Sequence, residues 1–265
     1  MHILKEFVYG FILQLQFLTR LPVPLRIQFE ERTFARGVIF APVIGFIIGV
    51  AIAGVYLLAA LLDKRALAVL LALIGEIVLT GGLHLDGFAD MCDGLFSYRD
   101  RERMMAIMKD SRIGTNGALG LILLILLKFI MLLSVPESRL VACLLVMPVL
   151  GRMTIAWSVG ISPYARKDEP GIAGSLTKNT GFIEIIAATV ISLGFAVPFL
   201  KLAAVPLAMV VIATALLVNL FAVRKIGGIT GDVLGGVIEI SEAVFIAAVL
   251  LLGALYGRFQ APFIS

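Results

Sequence analysis

Three aspartates, Asp86, Asp90 and Asp93, stand out for their chemistry, in the segment Gly81-Gly82-Leu83-His84-Leu85-Asp86-Gly87-Phe88-Ala89-Asp90-Met91-Cys92-Asp93-Gly94. Spaced i, i+4 and i+7, they fall on one face of a helix, within an arc of about 60° at about 100° per residue. Carboxylates that close repel one another unless a cation lies among them. Hard oxygen donors without a cysteine pattern suit Mg2+ or Mn2+ rather than zinc, with phosphate oxygens completing the shell. The plain alternative is a solvated acidic helix, against which the glycine-rich flanks argue. His84 is equally readable as a hydrogen-bonded structural residue or as a substrate contact.

A second cluster, Lys109-Asp110-Ser111-Arg112-Ile113-Gly114-Thr115-Asn116-Gly117, opens an apolar run. Helix N-termini present unpaired backbone N–H groups and a positive dipole end, so Ser111, Gly114, Thr115, Asn116 and Gly117 are candidates to cradle a phosphate. Lys109 and Arg112 would supply charge. Topological anchoring is enough to explain Arg99, Arg101 and Arg103, but it leaves the Ser, Thr, Asn and Gly residues unexplained.

The third cluster runs from Arg224 to Glu242 and holds Asp232, Glu239 and Glu242. Asp232 and Glu239, seven apart, share a helix face, and both glutamates enter an apolar region where an ionised carboxylate needs a partner. Gly-Gly-x-x-x-Asp occurs at Gly81–Asp86 and again at Gly227–Asp232, a weak echo. Glu76, Lys128 and Arg152 also lie in or near apolar runs. For Glu76 and Lys128 a structural pairing is the preferred reading, whereas Arg152 could reach a phosphate. The polar stretch from Ser162 to Gly171 reads as a lid or a connector.

These residues must be positioned by membrane helices. Of the 265 residues 60% are hydrophobic and only 15% charged, too few to cover the surface of a soluble domain of this length. Apolar segments near 37–62, 66–83, 117–135, 140–160, 182–200, 203–223 and 243–256 predict seven spans. The predicted fold is therefore an all-α, polytopic integral membrane bundle forming a single domain. Before the first span, Leu4, Phe7, Val8, Phe11, Ile12, Leu15 and Leu18 recur at helical spacing and predict an N-terminal interfacial helix, retained because no small-residue cleavage site follows it. Lys and Arg concentrate in alternate loops, which places the segments 84–116, 161–181 and 224–234 on the cytoplasmic side of an inner membrane. The net charge of +4 follows from this asymmetry and requires no nucleic-acid partner. Cys92 and Cys143 read as free thiols, Cys92 facing the cytoplasm beside the metal and Cys143 inside a span.

The segment Phe17-Leu18-Thr19-Arg20-Leu21-Pro22-Val23-Pro24, the Gly81–Gly94 motif, Lys109–Gly117 and Thr230-Gly231-Asp232 with its following glutamates together resemble the cobalamin synthase family, the adenosylcobinamide-GDP ribazoletransferases. The resemblance runs along nearly the whole chain. Met91 and Cys92 replace that family's usual small residues without touching the carboxylates. What it implies is the last assembly step of vitamin B12, in which ribazole or its 5′-phosphate displaces GMP from adenosylcobinamide-GDP, with Mg2+ as the expected cofactor and Mn2+ as a substitute. It further implies Asp86, Asp90, Asp93, Lys109 and Arg112 as catalytic residues. Asp86, Asp90 and Asp93, with Asp232 and Glu239, would be the metal ligands, and His84, Ser111, Gly114, Thr115, Asn116 and Arg152 would contact substrate. Two other classes compete: a CDP-alcohol phosphotransferase, which lacks the later motifs, and an ion-coupled transporter, against which the one-sided clustering of charge argues. The sequence does not fix the oligomeric state, and a homo-oligomer stays open alongside a monomer in the lipid bilayer.

Overall fold

The computed structural model describes the backbone of residues 2–166 and 171–259, and within them the regular structure is helical apart from one bridge between Tyr164 and Ile229. The 167–170 part of the expected lid or connector lies outside the described residues. Twelve helices of α type follow in order among the described residues: α1 (His2–Leu18), α2 (Glu31–Arg36), α3 (Ala41–Ala60), α4 (Arg65–Thr80), α5 (Leu83–Leu95), α6 (Arg101–Ile107), α7 (Thr115–Ser134), α8 (Glu137–Ile161), α9 (Ile172–Asn179), α10 (Phe182–Leu200), α11 (Ala204–Ile226) and α12 (Gly231–Phe259).

α8 is the hub, touching α3, α9, α10, α11 and α12. Its seam with α3 is built from glycines. A Cβ on Gly49 would lie 2.9 Å from the Cα of Leu145, and one on Gly45 would strike the carbonyl of Pro148. Between membrane helices, where lipid is as apolar as leucine, such close backbone approach replaces the hydrophobic drive available in water.

Among the described residues five apolar stretches are long enough to cross a bilayer, six if α4 is counted with the sharply bent α5. One of the five, Phe182–Ile226, contains both α10 and α11, separated at Lys201, whose φ is 51°. The two run in opposite directions, because the C-terminal end of α8 meets the start of α10 and the end of α11. Trp157 Nε1 donates to Thr189 Oγ1 (3.0 Å), and Asn219 Nδ2 donates to Ser158 Oγ (2.9 Å).

α1 packs on α2 and α3 through only part of the face its apolar spacing picks out: Leu18 is buried and Phe11 and Leu15 lie against the core. Phe7 and Val8 point outward, while Gly10, Leu13 and the polar Gln14 are buried. Gln14 Nε2 donates to the Phe34 carbonyl (2.8 Å), and Gly10 lies against Gly37. A buried amide satisfied by a backbone carbonyl is as good a packing surface as an aliphatic one, which spacing alone does not reveal.

The polar connections gather at one end of the bundle. Ala165 N–H donates to Ile229 O (2.9 Å), Ile229 N–H to Pro163 O (2.8 Å) and Arg101 Nη2 to Ala165 O (3.1 Å). Arg101 thus ties the segment before α9 to the turn before α12, a structural task beyond the topological charge expected of it.

Candidate active site

Two glycine turns build the site. α4 ends in the left-handed Gly81 and Gly82 (φ 65° and 70°), conformations that cost an L side chain about 1 kcal/mol or more. They turn α5 by 89° from the axis of α4, so that it lies across the end of the bundle beyond that helix. α11 ends in the left-handed Gly227 (φ 79°), and α12 begins four residues later. In both copies of Gly-Gly-x-x-x-Asp the first glycine ends a helix in the left-handed region, and each places an aspartate on the first turn of the next helix. The helices cross in backbone contact: a Cβ on Gly87 would lie 3.0 Å from Asp232 O, and one on Gly235 would lie 2.8 Å from His84 O.

This crossing puts Asp86 and Asp232 in the lining of a cleft of about 310 Å3, together with Arg166, Tyr164 and His84. Arg166 Nη2 pairs with Asp232 Oδ2 (3.3 Å), and Thr230 Oγ1 donates to the same oxygen (3.1 Å). Asp90 lies close enough to feel all the nearby acids. Burial first, then the charges of Asp232, Asp86 and Asp93, push its carboxyl up to about 7. Walls formed by Phe17, Leu18, Ile155, Leu176 and Ile238 make the rest of the cleft apolar.

Not every expected ligand is here. Asp93 is buried and turned toward α7, where its two oxygens accept from Gly114 N–H (2.7 Å) and Gly117 N–H (2.8 Å). It caps that helix from outside, so the N–H groups read from sequence as a phosphate cradle already hold a carboxylate. Glu239 lies on α12 about 10 Å beyond Asp232, at a rise of about 1.5 Å per residue, and its partner is Lys128 at 3.1 Å. The structure brings Asp86, Asp90 and Asp232 together, leaves Asp93 near Asp90 but engaged with the start of α7, and sets Glu239 apart beside Lys128. Among the described residues no three His, Cys, Asp or Glu side chains converge tightly enough to hold a metal ion alone. The donors nevertheless fit one: three mutually repelling carboxylates at a solvent-reached cleft are hard oxygen ligands short of positive charge.

Lys109, Ser111, Arg112, Thr115 and Asn116 stand on the far side of α5. Arg112 is exposed and forked onto Asp110 (3.0 and 2.7 Å), which holds the Asp110 carboxyl down to about 2 through those hydrogen bonds. Arg112 rims an open hollow shared with Asp93 and Gly114. Asn116 Nδ2 donates to Phe96 O (3.3 Å), while Ser111 and Thr115 are exposed. Cys92, expected to be accessible, is buried against Gly120 of α7, and burial pushes its thiol up to about 11. The α5–α7 packing needed to seat Asp93 covers it.

Beneath the cleft lies a buried ion cluster. Lys128 Nζ reaches Glu76 (3.4 Å), Glu239 (3.1 Å) and Glu242 (2.6 Å), and Arg152 pairs with Glu76 (3.4 Å) and Glu242. Glu76 and Lys128 are thus paired structurally. Arg152 is wholly buried and meets the cleft only through His84, Nη2 to Nδ1 at 3.3 Å. Sequence reasoning passed over Arg166 and Tyr164, whose only signal was membership of a polar segment.

Fold and site define a polytopic helical membrane protein whose bundle end carries a carboxylate-lined cleft with an apolar interior. The profile of the cobalamin-5-phosphate synthase family matches residues 10–250, and the chain belongs to that family. A protein of Clostridium novyi named adenosylcobinamide-GDP ribazoletransferase is 36% identical over 90% of this chain and 95% of its own length. Proteins of the same name from Caldanaerobacter subterraneus and Clostridium botulinum (strain Okra) are 38% and 39% identical, over 90% and 94% of this chain and 96% and 100% of theirs. No solved structure matches.

Proposed function

We propose that this chain transfers the adenosylcobinamide-phosphate group from adenosylcobinamide-GDP to α-ribazole or its 5′-phosphate, releasing GMP, in the last assembly step of vitamin B12. The observation that carries this reading is the family match over residues 10–250, which takes in both glycine turns and all three of these aspartates. A ribose hydroxyl attacks the phosphorus on the cobinamide side, the bridging P–O bond breaks, and GMP leaves.

Asp86, Asp90 and Asp232 would hold a divalent cation, Mg2+ by the chemistry of the donors. Bound there, it neutralises charge on the pyrophosphate. Arg166 holds Asp232 in place and offers a second, buried Nε–H with no protein partner. Such a donor pre-aimed at developing phosphate charge acts without reorganisation. Arg112, at the hollow beyond α5, and Lys109 in the same connection supply cations for the departing GMP. The proton of the attacking hydroxyl passes to a carboxylate of the same set.

Seven spans accommodate this site: α3, α4, α7, α8, α10, α11 and α12. Lys and Arg density then directs the cleft to the cytoplasm of the cell's inner membrane. The test is direct. Purified protein with adenosylcobinamide-GDP, α-ribazole and Mg2+ should release GMP in equal amount to cobalamin formed. No GMP under any divalent cation overturns the reading.

A further inference from the structure

We propose that the apolar part of the cleft receives the heterocyclic base of the ribazole, and that His84 Nε2–H donates a hydrogen bond to that base's free ring nitrogen. This deepens the functional reading above and rests on it. The argument begins with Arg152. A guanidinium carries donors only, so at 3.3 Å from His84 Nδ1 it obliges that nitrogen to accept. The proton of the neutral ring therefore sits on Nε2. Arg152 cannot turn away, because it is wholly buried and paired with Glu76 and Glu242. The ion cluster fixes which nitrogen of His84 is the donor.

Nε2 is itself buried and has no partner among the described residues, and His84, only 3% exposed, forms part of the cleft wall. A buried donor left unpaired costs about 1–3 kcal/mol, so this position calls for an acceptor from outside the protein, solvent or ligand. The chemistry around it selects the acceptor. Leu18, Ile155 and Ile238 line the same cleft, whereas its charged groups Asp86, Asp232 and Arg166 stand at the crossing of α5 and α12. A phosphate belongs with Arg166 and the cation. An apolar chamber with an unpaired N–H donor in its wall suits a flat, uncharged heterocycle with one lone-pair nitrogen. Ribazole is a benzimidazole riboside: one ring nitrogen forms the glycosidic bond and the other is free to accept.

Two measurements test the assignment. Wild-type enzyme is given α-ribazole and the matching indole riboside, in which the free ring nitrogen is replaced by C–H. The indole should lose roughly ten- to a hundred-fold in kcat/KM, the cost of stranding a buried donor. In His84→Leu the two ribosides should become equal, and His84→Gln, which retains an N–H donor, should restore part of the difference. Equal use of both ribosides by wild type overturns the proposal. So does a His84→Leu variant that raises KM for adenosylcobinamide-GDP while still discriminating, which would put His84 on the phosphate. The second measurement needs no turnover. The chain has two histidines, His2 and His84, so a His2→Ala variant labelled with nitrogen-15 histidine reports His84 alone. Its proton should sit on Nε2, and that signal should shift on adding ribazole but stay in place with the indole riboside. A proton on Nδ1, or equal shifts with both, refutes the assignment even if no GMP is ever released. Absence of GMP together with the expected shift would refute the catalytic reading while leaving the base-binding site standing.

Discussion

Replacing Gly235 by alanine should be far more damaging than replacing Gly231, four residues earlier on the same helix. A methyl at Gly235 would lie 2.8 Å from His84 O and 3.2 Å from the Cα of Gly87, both backbone, whereas Gly231 has nothing within 4 Å. Ordinary contact begins at 3.4 Å, so α5 and α12 must separate by about 0.6 Å. Overpacking of this kind costs about 1–3 kcal/mol of stability. The larger effect is on chemistry, because the displaced helices carry Asp86 and Asp232 in the lining of the cleft. A misplacement approaching 1 Å in a reacting site costs up to about a hundred-fold in rate. Gly235→Ala should therefore lose at least ten-fold in kcat/KM for GMP release and need more Mg2+ for half-maximal rate. Gly231→Ala, at the first residue of α12, should retain activity with stability little changed. The assay is GMP release across a Mg2+ titration, with thermal unfolding in detergent measured in parallel. If Gly235→Ala keeps wild-type kinetics, or Gly231→Ala is equally impaired, the placing of Asp86 and Asp232 by the glycine crossing is not what makes the site.

Lys128→Met leaves three buried carboxylates with one cation and should cost about 3–5 kcal/mol, whereas Glu242→Gln leaves two of each sign and should cost clearly less; thermal unfolding ranks them, and the reverse order would refute the charge count. Asp93→Asn should weaken the cap on α7, a loss of about 1–2 kcal/mol, with the Mg2+ requirement unchanged, while Asp86→Asn should raise that requirement with stability unchanged; the same two assays separate them. Because the Asp90 carboxyl sits near 7 without a cation, Mg2+ should release a proton on binding, and its affinity should rise with pH up to about 7 and then level off. The same raised value makes the metal-free protein lose stability as pH climbs from the ordinary carboxylate range through 7, and Asp90→Asn should flatten both curves in isothermal titration and unfolding. Asp110→Asn frees Arg112 from its carboxylate partner and should lower KM for adenosylcobinamide-GDP if Arg112 meets its pyrophosphate; an unchanged KM would confine Arg112 to the α6–α7 connection.

Composition and hydropathy determined the class of this protein, since a chain with 15% charged residues has no surface to offer water on all sides. Residue types at helical spacing also marked Asp86 and Asp90 on one face of α5, and the glycine turns before Asp86 and Asp232 were visible as a repeated pattern. What periodicity cannot carry is the partner of each side chain. Asp93 shares the acidic stripe, but α7 approaches from the side and supplies two N–H groups, so its carboxylate oxygens are engaged there. Glu239 shares a face with Asp232, but about 10 Å of helix rise carries it down to Lys128 in the ion cluster. Cys92 became buried for the same reason that Asp93 became a cap. Arg166 and Tyr164 acquired their place only when the segment before α9 bridged to the turn before α12. Helical spacing is a local property of one element, whereas which charges meet depends on how elements far apart in the chain cross. Here that crossing was set by two glycines, Gly87 and Gly235, whose missing side chains let the backbones of α5 and α12 touch.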